Sequence, residues 1–261
     1  LLVGEVVTAL HARWAADRTW ARDRAWNGDH TTAPAAHQSS MPPHSVHELV
    51  NRYRLFLDVG SALVAMALLA YLQNVDVIVL GREAPHSAGP YAAISVATKA
   101  LVFGAIALGG YLLPEAAIEW HRGGHALRQL RVTFLVLAVP GAALLLAAVA
   151  FPERLLSLVF SSRYLGAHSA FWLLALAMVF LSATVVLTLY LLAAGQRWIG
   201  GLLLAGAVVA TVAEAAAHGS PRMTAATDLL VQGGLALATC AVFVAVHSRR
   251  SIGTLVTEMA R

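Results

Sequence analysis

Two acidic residues lie inside the first long apolar stretch of the chain, where charge is costly. Asp58 and Asp76 are 18 residues apart, which is five turns of an α-helix and about 27 Å along its axis. They would therefore share one helix face, with Ala62, Ala65, Leu69 and Gln73 between them. A face that is acidic at both ends and small in its middle fits the inside of a helix bundle. Asn74 lies nearly opposite and is expected to cap a helix or to hydrogen-bond to a neighbouring one.

The second apolar stretch contains the only lysine of the chain. Tyr91, Ser95 and Lys99 are spaced four residues apart, so they occupy one helix face. A cation at this depth is costly unless it is paired or faces water. Asp76 lies near the same depth on the preceding antiparallel helix, so an ion pair with Lys99 is geometrically possible. Two interpretations stay open: a cavity charge that meets an anionic substrate, and a structural ion pair or a lysine that snorkels to the membrane surface.

Other polar residues are given structural or interfacial roles. Glu214 and Asp228 flank the last predicted outer loop and are expected at the lipid headgroups. His121 and His125 have helical metal-ligand spacing, but two glycines separate them and no suitable glutamate accompanies them. The sequence contains no nucleotide-binding fingerprint and no arrangement typical of a catalytic triad. We therefore expect neither an enzyme nor a bound metal or cofactor.

The composition places these residues in a membrane protein. Of 261 residues, 59% are hydrophobic and 12% are charged, and the mean hydropathy is +0.69. A soluble globular domain carries about twice that share of charge, and a disordered chain has low hydrophobicity. The arginines form no continuous basic face of the kind that nucleic acid requires, and the single Cys240 has no partner for an internal disulfide. The expected surroundings are therefore a lipid bilayer, with no nucleic acid as a partner.

Apolar runs of membrane-spanning length predict an all-α integral membrane protein with a bundle of six transmembrane helices. We place the spans at 55–80, 90–113, 132–151, 168–194, 198–217 and 226–247. Residues 1–54 are predicted as a cytoplasmic juxtamembrane segment and linker, with 1–10 as the tail of a preceding helix, and residues 251–261 as a cytoplasmic tail. The six-helix domain itself is assigned to 55–250.

The loop arginines predict the orientation of the bundle. Thirteen lie in the loops and ends on one side, among them Arg122 and Arg197, and four lie on the other. Because cytoplasmic loops are enriched in Lys and Arg, both termini are expected in the cytoplasm. The expected location is a bacterial cell membrane, crossed several times.

Three stretches resemble a known transporter family. The run QNVDVIVLGREAPHSAGPYAAISVATKA has the Asn-x-Asp end of one helix and the Gly-x-Tyr start of the next, here Asn74, Asp76, Gly89 and Tyr91. FPERLLSLVFSSRYLGA is similar to an outer segment, with Ser161 where the family often has Gly, and LLAAGQRWIG to a short inner turn. Across about residues 50–250 the chain resembles the polysaccharide flippases of the multidrug/oligosaccharidyl-lipid/polysaccharide exporter superfamily, and specifically their C-terminal half.

The resemblance implies a function in cell-surface polysaccharide synthesis. A flippase of this kind moves an undecaprenyl-diphosphate-linked saccharide between leaflets by alternating access of two six-helix lobes, with a cationic cavity for the diphosphate and an ion gradient as a drive. This chain would supply one lobe, so its partner would be a missing N-terminal half or a second copy. Lys99 would be the cavity cation, and Arg54 and Arg131, at inner ends of spans, would meet the diphosphate first.

Two other functions remain open from the sequence. One is a non-transporting scaffold, or a degenerate fragment of a polysaccharide export system. The other is a membrane transferase that uses a polyprenyl phosphate, but such enzymes need clustered acidic or histidine residues in loops at one membrane face. The predicted outer loops are short and offer only Glu83 and His86.

Overall fold

The computed structural model describes residues 44–122, 126–154, 168–217 and 219–259, and these residues form helices joined by short turns, with no strand among them. Side chains are described within 56–112, 127–154, 169–217 and 219–248. In chain order the helices are α1 (His44–Leu72), α2 (Val75–Glu83), α3 (Pro85–Arg122), α4 (Ala126–Ala150), α5 (His168–Ala193), α6 (Ile199–Ala215) and α7 (Pro221–Met259). The predicted all-helical class is confirmed for the described residues. The segment 1–43 and the stretch 155–167 lie outside them.

Several of these helices are long and apolar enough to cross a membrane. Four qualify by themselves, over Pro85–Leu112, Leu127–Ala150, Ser169–Ala193 and Pro221–Ser248. A fifth qualifies if the bent pair Phe56–Leu72 and Val75–Glu83 forms one span. α6 is apolar but has 17 residues, which is about 25 Å of helix against a hydrocarbon core of about 30 Å. The described chain therefore has four to five helices of membrane-spanning character, beside this shorter one.

The first predicted span is wrong as one continuous helix. α1 ends at Leu72, α2 starts at Val75, and the two apolar segments meet at a bend of 42°. Asn74 causes the break, because its side-chain amide donates to the Ala70 carbonyl at 2.7 Å, the acceptor that its own backbone N–H would use in a regular α-helix. The backbone N–H of Asn74 turns to Tyr71 instead. Hydropathy alone does not detect this competition.

The predicted loop between Gly81 and Pro90 is also wrong. α2 continues to Glu83 and α3 begins at Pro85, so Ala84 alone separates them. Proline is well suited to the first position of a helix, and it keeps the preceding residue out of the helical region. Ala84 accordingly has φ −139° and ψ 71°. The first and the last described helix are longer than predicted. α1 begins inside the predicted linker, and α7 continues into the predicted tail.

The bundle is built around α5, which packs most extensively against α3 and α7 and also contacts α4. α6 packs against α1 and α7, while α2 lies between α3 and α6. Ala62, Ala65, Leu69 and Gln73 are all buried. This face of α1 therefore points into the bundle, as the sequence predicts.

Two glycine turns mark the opposite ends of the bundle. At the α5–α6 turn, Gly195 has φ 80°, and the N–H groups of Gly195 and Gln196 bond to the carbonyls of Leu192 and Leu191, a Schellman motif. At the α6–α7 turn, Gly219 has φ 71°, and a Cβ placed on it would lie 3.0 Å from that of Ala84. The α6–α7 turn thus touches the α2–α3 junction. These ends are called the Gly195 end and the Gly219 end below.

Candidate functional site

Three carboxylates lie in the bundle interior toward the Gly219 end and form what we call the acid cluster. Asp76 is in the first turn of α2, Glu214 is in the last turn of α6, and Asp228 is seven residues into α7. Each is 1% exposed. Lys99, 6% exposed, reaches toward the cluster from α3. The four groups thus come from four different helices.

Glu214 and Asp228 are buried inside the bundle, while their predicted level at the lipid headgroups stays a prediction. α7 begins at Pro221, five residues before the predicted start, so Asp228 lies about 10 Å along the helix from its first residue. Glu214 is covered because α2 packs against α6. A helical side chain also leans toward the N-terminus of its helix, and for Glu214 this direction leads into the bundle.

The carboxylates of the cluster are poorly satisfied. Neither oxygen of Asp76 and neither oxygen of Glu214 has a hydrogen-bond partner, and Asp228 uses only Oδ1. The Tyr91 hydroxyl lies beside Asp76 without reaching hydrogen-bond geometry. Most buried polar groups in proteins are hydrogen-bonded. A concentration of unpartnered oxygens in one place therefore indicates a site that receives something from outside the chain.

The charges of the cluster do not balance. Asp76 and Asp228 each interact with the Lys99 ammonium and with one another, and Glu214 interacts with both aspartates. If all four groups were ionised, their net charge would be −2. Charge buried without compensation is costly in a low-dielectric interior. The cluster therefore requires protons or other cations from solution.

Lys99 does not form the ion pair with Asp76 that one of the two interpretations allows. Its ammonium donates to Asn74 Oδ1 at 3.1 Å, while Asp76 remains an electrostatic neighbour without a hydrogen bond. The expectation that Asn74 bonds to a neighbouring helix is thereby confirmed, while its side chain makes no cap hydrogen bond. The helix break thus places the amide oxygen of Asn74 within hydrogen-bond distance of Lys99.

Gln232 connects α7 to the helix break. Its amide nitrogen donates to Asp228 Oδ1 at 3.1 Å and to the Leu72 carbonyl at 3.2 Å. Leu72 is the last residue of α1, so its carbonyl has no partner further along the helix. One buried side chain therefore joins the break to the acid cluster.

An apolar cavity of about 560 Å³ lies between α1 and α3 and ends at Lys99. Gln73, Asn74 and Lys99 supply its polar lining. Its other walls are apolar: Leu63, Met66, Ala67, Leu69, Ala70, Val102, Phe103, Ile106 and Val185. The cavity and the acid cluster therefore both adjoin Lys99.

The predicted site residues divide into two groups. Asp76, Tyr91 and Lys99 come together, and all three are buried. Asp58 does not join them: at the Gly195 end it accepts a hydrogen bond from Arg197 Nε at 2.8 Å, and both side chains are partly exposed. The prediction of an internal stripe that is acidic at both ends is therefore wrong for Asp58.

Among the described side chains, the structure brings neither of the two predicted arginines to this site. Arg131 is exposed near the start of α4 and does not line the cavity. Arg54 belongs to α1, but its side chain lies outside the described ones.

The interpretation from the sequence missed the contributions of α6 and α7. A signal was present in α7, where Thr224, Asp228 and Gln232 follow one another at spacing four in an apolar run and therefore share a face. All three are buried. Glu214 has no such companion in its own helix. Its position depends on α2, which no local pattern reveals.

Comparison with known proteins identifies no relative, so the function has to be inferred from the geometry of the structure. No family model, curated protein or solved structure matches the chain. Among the described residues, no group of three or more His, Cys, Asp or Glu is placed to hold one metal ion. The three carboxylates thus interact electrostatically but do not form one metal-binding site.

Proposed function

We propose that the chain is a membrane transporter component that flips a polyprenyl-diphosphate-linked saccharide for cell-surface polysaccharide synthesis. The observation that carries the proposal is Lys99, an ammonium buried in the bundle between an apolar cavity and an acid cluster with unbalanced charge. A non-transporting scaffold gains nothing from such an arrangement, because buried ion pairs are weak contributors to stability and unpaired buried charges oppose it. Ionisable groups inside a membrane are typical of substrate and ion pathways.

The proposal includes a six-span topology with both termini in the cytoplasm of a bacterial cell. α1 and α2 together form the first span, and α6 forms the fifth despite its length. The Gly195 end then faces the cytoplasm, where Arg197 and the other loop arginines satisfy the positive-inside rule. A second six-helix lobe, from another chain segment or another copy, would complete the pathway.

The acid cluster supplies the coupling in this proposal. Protons can neutralise the separated carboxylates one by one, and each proton removes a negative charge from the neighbourhood of Lys99. The ammonium then attracts an anionic headgroup more strongly. Cation uptake and substrate binding favour one another in this scheme, and linkage makes the effect equal in both directions.

Introducing Lys99→Met into the native gene tests the proposal. We expect surface polysaccharide to fall by at least about tenfold, which corresponds to losing one charge-assisted contact, with lipid-linked saccharide accumulating on the cytoplasmic leaflet. Arg128→Gln is the matched control, since it removes an exposed cation that does not line this cavity, and we expect unchanged polysaccharide. Unchanged polysaccharide in both Lys99→Met and Asp76→Asn cells, with normal protein levels, contradicts the proposed site.

A biochemical measurement separates transport from the other functions. Purified chain is incubated with a labelled polyprenyl-linked donor and a range of acceptors. We expect no transferred label. A labelled product that depends on the chain would replace the transporter by a transferase.

A further inference from the structure

We infer that the cavity between α1 and α3 is a binding site for an amphiphile with a phosphate or carboxylate headgroup, which reaches it sideways from the lipid. The inference relies on the proposed function only for the identity of the physiological lipid. The pocket itself is argued from its polar end, its walls and its opening.

The polar end of the cavity presents hydrogen-bond donors. Lys99 has three N–H groups, and its hydrogen bond goes to Asn74 Oδ1. The buried amide nitrogen of Gln73 has no partner. The Asn74 amide nitrogen donates one of its two N–H groups to the Ala70 carbonyl, and its oxygen accepts from Lys99. The groups with unused donor capacity are thus the ammonium and the amide N–H groups, which complement an anionic oxygen.

The walls of the cavity fit a hydrocarbon tail. The lining follows α1 from Leu63 to Ala70, about 10 Å, and continues to Gln73 and Asn74 at the helix break. Beyond the polar end the lining residues are all apolar. The volume of about 560 Å³ lies within the usual range for small-molecule sites, about 300–1,000 Å³. A headgroup alone would leave most of this space empty.

The cavity reaches the outer surface of the bundle. Leu63 is 41% exposed and Phe103 is 58% exposed, and both line the cavity. Both lie within apolar segments of membrane-spanning character. In a bilayer this surface meets hydrocarbon, so a tail can slide in between α1 and α3 while its headgroup moves toward Lys99.

Binding to the purified full-length chain in nanodiscs tests the site. The probes are a short-chain prenyl phosphate, palmitate and the prenol that matches the first probe without its phosphate, each titrated by native mass spectrometry. We expect both anions to bind, and the prenol to bind at least about tenfold more weakly. Stronger binding of prenyl phosphate identifies the lipid of the proposed function, whereas stronger binding of palmitate identifies a fatty acid. Equal binding of prenol and prenyl phosphate overturns the headgroup site, and binding of none of the three overturns the pocket.

Variants locate the binding within the cavity. Lys99→Met should weaken both anions by about tenfold, and Lys99→Arg should retain them. Ala67→Trp fills the cavity and should abolish binding, while Ala138→Trp is the matched control, because Ala138 is an exposed position on α4 that does not line this cavity. Gel filtration and thermal unfolding confirm that each variant folds. If Ala67→Trp and Ala138→Trp lose amphiphile binding equally, the binding site does not lie in this cavity.

The same variants distinguish failure of the binding site from failure of the proposed function. Binding that needs Lys99, together with normal surface polysaccharide in Lys99→Met cells, leaves the pocket standing and removes the flippase. Loss of polysaccharide without any amphiphile binding supports transport and overturns the pocket.

Discussion

Asp58 and Asp76 have the same side chain and lie on either side of one helix break, yet their surroundings differ completely. Asp58 is partly exposed and paired with Arg197 at 2.8 Å. Asp76 is buried, and neither of its oxygens has a hydrogen-bond partner. The first charge is accounted for by a contact within the chain. The second is not, and for this reason we assign chemistry to the Gly219 half of the bundle and a structural role to the Gly195 end.

Asp76→Asn should separate stability from function most strongly. The substitution removes a buried carboxylate without a partner, so we expect the free energy of unfolding to rise by about 1–3 kcal/mol, while surface polysaccharide falls. Denaturant unfolding of the purified protein and polysaccharide measurement in cells provide the two readouts. The matched variant Asp58→Asn should show the opposite pattern, with slightly lower stability and normal polysaccharide. Destabilisation by Asp76→Asn would mean that Asp76 is structural as well.

Gln232→Leu tests whether the helix break depends on α7. The Leu72 carbonyl and Asp228 Oδ1 both lose a donor, and we expect the free energy of unfolding to fall by about 1–3 kcal/mol. Thr239→Val is a matched control, because its buried hydroxyl bonds within its own helix, to the Leu235 carbonyl. Similar costs for the two variants would show that Gln232 contributes no more than an ordinary intrahelical hydroxyl.

The Asp58–Arg197 pair should have the smallest effect. A double-mutant cycle with Asp58→Ala and Arg197→Ala should give a coupling free energy of about 0.2–1 kcal/mol. Because both side chains are partly exposed, salt should reduce that coupling. A coupling well above this range, insensitive to salt, would show that the Gly195 end also holds a desolvated charge pair and would remove the contrast with Asp76.

Sequence periodicity predicted helix faces well and relations between helices poorly. Tyr91, Ser95 and Lys99 lie on one face of α3, which is buried, and the stripe from Ala62 to Gln73 is buried as predicted. The bounds of α5 differ from the prediction by one residue at its end. Such features depend on the spacing of residues within one helix, which the sequence displays directly.

The errors arise where a side chain meets a partner far away or its own backbone. Asp58 was placed in the wrong environment because Arg197 lies 139 residues further along the chain. The burial of Glu214 was not predicted because α2, which packs against α6, is distant in the sequence. The break after Leu72 was missed because a single amide, that of Asn74, competes for a backbone carbonyl inside a stretch whose hydropathy remains high.

In the proposed six-span topology, the shortness of α6 has a consequence for the membrane around it. A helix of about 25 Å does not match a hydrocarbon core of about 30 Å, and a bilayer next to such a helix thins locally. Glu214 is the residue before the last of α6, so thinning brings the headgroups and their water close to this carboxyl group. The acyl-chain length of the surrounding lipid then sets how far a proton must travel to the acid cluster, and host lipids of increasing length should slow its exchange with the solvent.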